Sequence, residues 1–187
     1  MKNFAGQYYH VYNRGTNRQP IFAKDENYRF LLRRAREFLP TYLIRIVAYV
    51  LMPNHYHFLV GVDEDGALAP LFQRLFNSYS QAFNLQQGRT GTLFEGRAKS
   101  IVINESGYVY ALVRYIHLNP VTAKLVTDPA NWQFSNYLEW VGEREDQILF
   151  DPNFREAFFS TPEEYKQFVL SDIPDAMERK LRKYYLD

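Results

Sequence analysis

Two histidines one residue apart, in the run His55-Tyr56-His57, are the first side chains of this sequence that could do chemistry together. Residues 55–62 are mostly apolar or aromatic and predict a strand. Residues two apart in a strand project from the same face, so the imidazoles would point together while Tyr56 faces the other side. Neutral imidazoles are common ligands of divalent metal ions. The motif alone leaves a second interpretation open, in which the two histidines face solvent or bond each other through water.

A second group of side chains lies in the run Tyr115-Ile116-His117-Leu118-Asn119-Pro120. Tyr115 and Asn119 are four apart, so they share one face of a predicted helix. On that face the phenol could be a nucleophile and the amide oxygen a third metal ligand. Alternatively, Tyr115 only packs the helix on the sheet and Asn119 only caps its end. The chain has 15 tyrosines, and the pairing with the histidines is what singles this one out.

Together these groups suit attack on a phosphodiester. A metal ion held by His55, His57 and a polar third ligand would polarise a phosphate oxygen. The tyrosine hydroxyl, whose reference pKa is near ~10, would attack the phosphorus and leave a covalent phosphotyrosine and a free 3′-hydroxyl. Because that intermediate keeps the free energy of the broken bond, rejoining needs no nucleotide cofactor. The sequence agrees, since it has no G-x-x-x-x-G-K-[ST] phosphate loop.

The elements that must position these residues follow one another as strand, helix, hairpin, helix, strand and helix. This order predicts an α+β, ferredoxin-like split βαβ fold, with an antiparallel sheet and helices on one face. Asp25 is the expected N-cap of the first helix, and Asn119-Pro120 is the expected end of the last. The predicted strands cover 7–13, 42–52, 55–62 and 98–104. The predicted helices cover 24–39, 67–86 and a third stretch that either Asn104 or Ser106 caps and that runs to about residue 117.

Beyond residue 125 come a tryptophan-bearing loop, NWQFSNYLEW, and two predicted helices near 161–171 and 174–185. The first of these begins with the capping signal Thr161-Pro162-Glu163-Glu164. We therefore expect one domain over residues 1–142 and a helical C-terminal extension of unassigned role over residues 143–187.

The charges are unevenly distributed along the chain. The net charge of +1 divides into +7 over residues 1–125 and −6 over residues 126–187. A basic body can present a positive face to phosphates, although the acidic segment can equally be a solvated amphipathic one. The absence of cysteine excludes disulfides and thiolate chemistry. With no apolar run of membrane-spanning length and no signal peptide at the start, the expected location is cytoplasmic.

The run Leu51–Val60, LMPNHYHFLV, followed by Tyr115-Ile116 and Asn119-Pro120-Val121, resembles the HUH superfamily of single-tyrosine transposases. More narrowly, it is similar to the REP-associated tyrosine transposases. The matching runs extend from residue 8 to about residue 142 in the order of that family. They include HVYNRG at 10–15, FEGRAKS at 94–100 and WQFSNY at 132–137.

The resemblance implies a metal-dependent transposase that nicks and joins single-stranded DNA folded into an imperfect palindromic hairpin, through a 5′-phosphotyrosine. It implies Mg²⁺ or Mn²⁺ as the cofactor, with His55 and His57 as the paired histidines and Tyr115 as the nucleophile. Asn119 stands where relatives place a polar metal ligand. The working unit would be a monomer or a homodimer.

Four basic residues near the strand ends are candidate DNA contacts. Arg14 and Arg18 follow the first strand, and Arg97 and Lys99 lie beside a later one. Two other functions compete with the transposase hypothesis. The first is a domesticated, non-catalytic binder of structured DNA or RNA. The second is a zinc enzyme that hydrolyses a small phosphoester. The lack of further histidine, cysteine or paired carboxylates near the His55-Tyr56-His57 strand counts against it.

Overall fold

The computed structural model describes residues 3–103, 106–146, 148–172, 174, 179, 181 and 182. Within them the elements follow the predicted order of strand, helix, hairpin, helix, strand and helix, and shorter helices come after. This confirms the α+β class. The strands are β1 (Gln7–Arg14), β2 (Ile44–Met52), β3 (His55–Val62) and β4 (Lys99–Ile103), and the helices are α1 (Asp25–Phe38), α2 (Leu68–Gln86), α3 (Ser106–Thr122), α4 (Tyr137–Trp140), α5 (Pro152–Glu156) and α6 (Pro162–Leu170).

The four strands form one antiparallel sheet in the order β2-β3-β1-β4. The hairpin of β2 and β3 turns at Pro53-Asn54, as the sequence predicts. In the centre of the sheet, β1 pairs with β3 from Gln7↔Val62 to Arg14↔His55. The start of β3, with its two histidines, therefore lies beside the end of β1.

The helices cover both faces of the sheet, so the expectation that they lie on one face is wrong. On β3, Tyr56 and Phe58 pack in the apolar layer under α1 and α2. Leu59, the residue after Phe58, packs in a second apolar layer with α3. The physical reason is that β2 and β3 are apolar on both faces, since all of β3 after His55 is buried, and each face therefore needs a cover.

Two helix ends differ from the predicted ones. Asp25 is the first residue of α1, and Lys24 is the N-cap; the Asn27 side chain accepts hydrogen bonds from the Ala23 and Lys24 N–H groups, both at 3.0 Å. Helix α3 runs through Pro120 to Thr122 instead of ending near residue 117. Proline cannot donate from its own nitrogen and its ring crowds the carbonyl one turn earlier, yet the helix continues, and Ala123 N donates to Asn119 O at 2.9 Å.

The outer edge of β2 is covered by the tryptophan-bearing loop. Leu51 N donates to Phe134 O at 2.9 Å, and the Trp132 indole N–H donates to Leu51 O at 3.1 Å. Asn136 completes the pairing, because its Oδ1 accepts from Tyr49 N at 2.8 Å. The loop thus satisfies backbone groups that an open strand edge would expose.

The described part of the C-terminal extension packs against the body. In α6, which confirms the helix predicted near 161–171, Tyr165 is buried in the layer under α3. Asp146 and Asp151 form ion pairs with Arg36 and Arg45 of the body. Most of the helix predicted near 174–185 lies outside the described residues, and the division at residue 142 stays a prediction. No helix in the described ranges combines the length and apolar character that crossing a membrane requires.

Candidate active site

His55 and His57 lie at the start of β3 on the face covered by α3. Their ring centroids are 5.2 Å apart and the ring planes are nearly perpendicular, at 87°. His55 is half-buried, whereas His57 is fully buried. The predicted projection from one face is therefore confirmed. Because α3 covers this face, the two histidines lie between the sheet and the helix and not on an open sheet surface.

Helix α3 brings Asn119 and Tyr115 to the two histidines. Asn119 Oδ1 lies 3.2 Å from His55 Nε2. One helical turn earlier, the Tyr115 ring meets the His57 ring edge to face, with centroids 5.5 Å apart. Tyr115 is half-buried, so its ring is not sealed in the core. The four predicted site residues thus converge, and they do so because α3 continues through Asn119 and keeps Tyr115 and Asn119 in helical register.

Each histidine is held at its Nδ1 atom by a polar neighbour. His55 Nδ1 lies 2.7 Å from Asn54 Oδ1, and His57 Nδ1 lies 2.8 Å from His10 Nε2. The opposite nitrogen of His57, Nε2, is buried and has no hydrogen-bond partner. Both Nδ1 atoms are therefore occupied, and the Nε2 atoms are the ones left for a ligand.

These donor atoms fit a small divalent cation. Octahedral Mg²⁺ or Mn²⁺ sites with metal–ligand distances of about 2.1 Å place neighbouring ligand atoms about 3 Å apart, close to the 3.2 Å between His55 Nε2 and Asn119 Oδ1. His57 Nε2 is one of several buried polar atoms without a hydrogen-bond partner in the described residues, and a metal ion is one partner that could satisfy it. In the described ranges no three histidine, cysteine or carboxylate side chains form a metal-binding group, so the Asn119 amide oxygen is the third donor at hand.

Burial keeps both imidazoles neutral. It lowers the pKa of His55; the nearby Arg14 charge lowers it further, and Asn119, which can accept a hydrogen bond from the protonated ring, acts in the opposite direction. For His57, burial first and then His10 and His55 hold the pKa well below its ordinary value. Only a neutral imidazole can bind a metal ion, so the lowered pKa values favour the form of both side chains that a metal ion would need.

Three of the four predicted DNA-contacting residues lie together beside the histidines. Arg14 pairs in register with His55 and forms an ion pair with Glu95. The charges of Arg14, Lys99 and Arg18 all lower the pKa of Glu95, after the hydrogen bond from Arg14. Lys99 is exposed and pairs with Tyr12, whose other neighbour is His57. We call Arg14, Arg18 and Lys99 the basic cluster.

A close backbone approach fixes the loop that carries Arg18. Gly15 N donates to Asn54 O at 2.8 Å, which ties the end of β1 to the β2–β3 turn. A Cβ atom at Gly15 would lie only 2.1 Å from the Gln19 carbonyl oxygen, so this position requires glycine. The loop therefore holds the basic cluster next to the histidine strand.

Arg97 lies apart from this cluster, on the opposite face of the sheet. It lines a cavity of about 610 Å³ between α2 and the end of β1, together with Tyr56 and Phe94. The structure thus separates Arg97 from the other three predicted contacts.

His117, between the predicted nucleophile and ligand in sequence, is a core residue. Its Nδ1 lies 2.5 Å from the Tyr165 hydroxyl and its Nε2 lies 2.9 Å from Asn136 Oδ1. Because it points away from Tyr115 and Asn119, it links α3 to α6 and to the loop on β2.

The sequence by itself does not indicate a role for His10, Asn54 or Glu95. His10 was visible only as a lone histidine in a predicted strand, and its contact with His57 depends on the pairing of β1 with β3. Asn54 could have been noticed, since it directly precedes His55 in the turn. Nothing in the sequence signals that Glu95 meets Arg14, because 81 positions separate them.

Comparisons with known proteins agree with this fold. The sequence family described as "Transposase IS200 like" matches residues 3–119, more than half of the chain. Among solved structures, the REP-associated tyrosine transposase bound to a REP hairpin superposes with a TM-score of 0.59 at 18% identity, over 79% of this chain and 93% of that one. At that identity the likeness shows the fold.

Two further structures are similar. A candidate transposase from Deinococcus radiodurans R1 has a TM-score of 0.41 and 19% identity, over 64% of this chain and 97% of that one. The tRNA(His) guanylyltransferase of Saccharomyces cerevisiae has a TM-score of 0.46 and 12% identity, over 95% of this chain and 77% of that one. No curated protein matches the sequence. With its family match extending through Asn119, the chain belongs to the IS200-like transposase family.

Proposed function

We propose that this transposase nicks and rejoins single-stranded DNA at hairpin structures through a 5′-phosphotyrosine on Tyr115. The observation that carries the proposal is the convergence of Tyr115, His57, His55 and Asn119 from two elements of one chain. The REP-hairpin complex of the structural relative supports hairpin DNA as the substrate. Because one chain supplies all four side chains, a monomer is favoured over a homodimer with shared sites. A cytoplasmic location stays a prediction.

His55, His57 and Asn119 would hold Mg²⁺ or Mn²⁺. When bound, the ion would act as a Lewis acid toward a phosphate oxygen. The residues of the chain position the DNA and the nucleophile. The basic cluster attracts the phosphate backbone, and α3 sets the Tyr115 phenol beside His57. In the reaction the phenol oxygen bonds to phosphorus and loses its proton, while the bond to the 3′ oxygen breaks and that oxygen takes up a proton.

The alternative function is a non-catalytic binder of structured DNA or RNA. Such a binder would need the basic cluster. It would not need the two imidazoles together with the Asn119 amide and the Tyr115 phenol. Because that set is complete and enclosed, we favour the enzyme.

The test uses a pool of single-stranded DNA with randomised stem-loops and randomised flanks, incubated with the protein and Mn²⁺. We expect a denaturation-resistant protein–DNA band, which is absent in Tyr115→Phe. Tyr110→Phe is the matched control, since this tyrosine lies on the same helix but packs on Phe158 and Phe168. Binding of the DNA without a covalent band would support the non-catalytic binder. A covalent band that persists in Tyr115→Phe would reject Tyr115 as the nucleophile. No binding at all would reject both functions.

A further inference from the structure

The Nδ1 atoms of the two site histidines are occupied in parallel ways. Asn54 Oδ1 lies 2.7 Å from His55 Nδ1, and His10 Nε2 lies 2.8 Å from His57 Nδ1. In a neutral imidazole one ring nitrogen carries the hydrogen and the other carries the lone pair, and the partner of one nitrogen decides which is which. The two neighbours therefore determine what each Nε2 atom offers.

A second contact of Asn54 determines which of its side-chain atoms faces His55. Asn54 Nδ2 donates to the Arg18 carbonyl oxygen at 3.3 Å, which leaves Oδ1 as the atom that faces His55. An amide oxygen can only accept, so His55 Nδ1 must carry the hydrogen. The lone pair of His55 then lies on Nε2, which faces Asn119 Oδ1.

The contact of His10 with His57 is an in-plane hydrogen bond. The two rings are nearly parallel, at 6°, and their centroids are 5.0 Å apart. With the two nitrogens only 2.8 Å apart, these values describe rings that lie side by side in one plane, in line with their lone pairs, and not rings stacked face to face. Only one hydrogen fits between the nitrogens, so one ring donates and the other accepts.

The proposed metal site indicates the direction of that bond. If His10 donated, the hydrogen of His57 would lie on Nε2, and no lone pair would remain on that atom for the cation of the proposed function. If His57 donates from Nδ1, its Nε2 keeps a lone pair, as His55 Nε2 does. The second arrangement leaves both histidines with matching lone pairs.

We propose that His10 and Asn54 are positioning residues, which accept hydrogen bonds from the Nδ1–H groups of His57 and His55 and so hold both Nε2 lone pairs toward the candidate metal site. The proposal rests on the proposed function for the direction of the His10–His57 bond and for its consequence, which is cation binding. Partners of this kind orient ligating imidazoles in metalloproteins. Here an imidazole takes the place that a carboxylate or carbonyl more often fills.

The first experiment measures the tautomers directly in metal-free protein. Long-range ¹H–¹⁵N spectra of ¹⁵N-labelled protein report both ring nitrogens of each histidine, and the chain has only four histidines. Spectra of His10→Gln and His55→Gln assign the signals. We expect His55, His57 and His10 all to carry the hydrogen on Nδ1. A hydrogen on Nε2 of His57 or His55 would overturn the proposal.

The second experiment compares variants that keep or remove the acceptor. In His10→Gln, the side-chain oxygen can replace Nε2 as the acceptor, whereas His10→Leu removes it. By electron paramagnetic resonance, we expect the Mn²⁺ dissociation constant to stay near wild type in the first and to rise about 10–100-fold in the second. Asn54→Asp and Asn54→Ala form the matching pair at His55.

Thermal melting and DNA affinity without metal show whether each variant is folded. Folded His10→Leu with wild-type Mn²⁺ affinity, or His10→Gln as weak as His10→Leu, would contradict the role of His10. If His10→Leu does not fold, the tautomers of the wild-type protein decide. If the wild type binds no Mn²⁺, the proposed metal dependence fails, while the tautomer of His57 still tests whether His10 accepts its hydrogen.

Discussion

His55 Nε2 and Asn119 Oδ1 lie 3.2 Å apart although 64 positions separate them in the chain. The contact joins the first residue of β3 to the last turn of α3, across the face of the sheet that α1 and α2 leave uncovered. It depends on α3 continuing past residue 117, which keeps Asn119 in helical register. Neither atom can donate to the other when His55 carries its hydrogen on Nδ1, so a cation between them would relieve the contact of two lone pairs.

Removing the His55 imidazole should abolish cleavage but largely spare DNA binding. The reason is that the imidazole faces Asn119 and the candidate metal site, whereas the basic cluster that attracts phosphates is left intact. We expect His55→Ala to lose the covalent protein–DNA band and to bind the same DNA within about twofold of wild type, a change of less than ~0.5 kcal/mol. Band-shift titration and the denaturing gel measure the two effects. Equal loss of binding and cleavage would contradict the role assigned to His55.

The affinity for single-stranded DNA should fall steeply with ionic strength. Each phosphate contact to single-stranded DNA contributes about −0.7 to the slope of log K against log salt. Lys99→Ala should flatten that slope by about this amount, because Lys99 is exposed on the site face. Lys166→Ala is the control, since Lys166 lies on α6 and pairs with Glu143. A slope that Lys99→Ala leaves unchanged would exclude Lys99 from the contact surface.

Acid should destabilise the fold through its buried histidines. Burial lowers the pKa of His117 to about 3 from 6.5, so between these values the unfolded chain binds a proton that the native chain does not. The stability is therefore complete above the unfolded pKa and falls as the pH drops from about 6.5, at up to ~1.4 kcal/mol per pH unit for each such histidine. His10 adds to this slope, because burial lowers its pKa to about 3 as well.

Urea unfolding of wild type and His117→Gln between pH 6.5 and about 4.5, above the ordinary carboxyl range, isolates the effect of His117. We expect the variant to be less stable at neutral pH, because Tyr165 and Asn136 lose a buried partner. Its dependence on pH should be shallower by up to ~1.4 kcal/mol per unit. Parallel curves for the two proteins would show that His117 does not account for the acid sensitivity.

The acidic C-terminal segment has a structural explanation in part. Asp151 pairs with Arg45, which lies beside Gly61 at the far end of β3 from His55. Six residues of strand amount to about 20 Å, so this acidic contact is remote from the histidines. Asp146 pairs with Arg36 of α1, on the other face of the sheet. These two carboxylates therefore neutralise arginines that lie away from the basic cluster.

The sequence by itself determined the element order, the strand of the two histidines and the shared face of Tyr115 and Asn119. These follow from periodicities of two and 3.6 residues, which are local properties of the chain. It could not determine that α3 crosses the second face of the sheet, or that the helix passes through Pro120, because both depend on burial of apolar surface from distant segments. Only the tertiary structure placed His10 against His57, since the register of β1 on β3 decides which strand residues become neighbours.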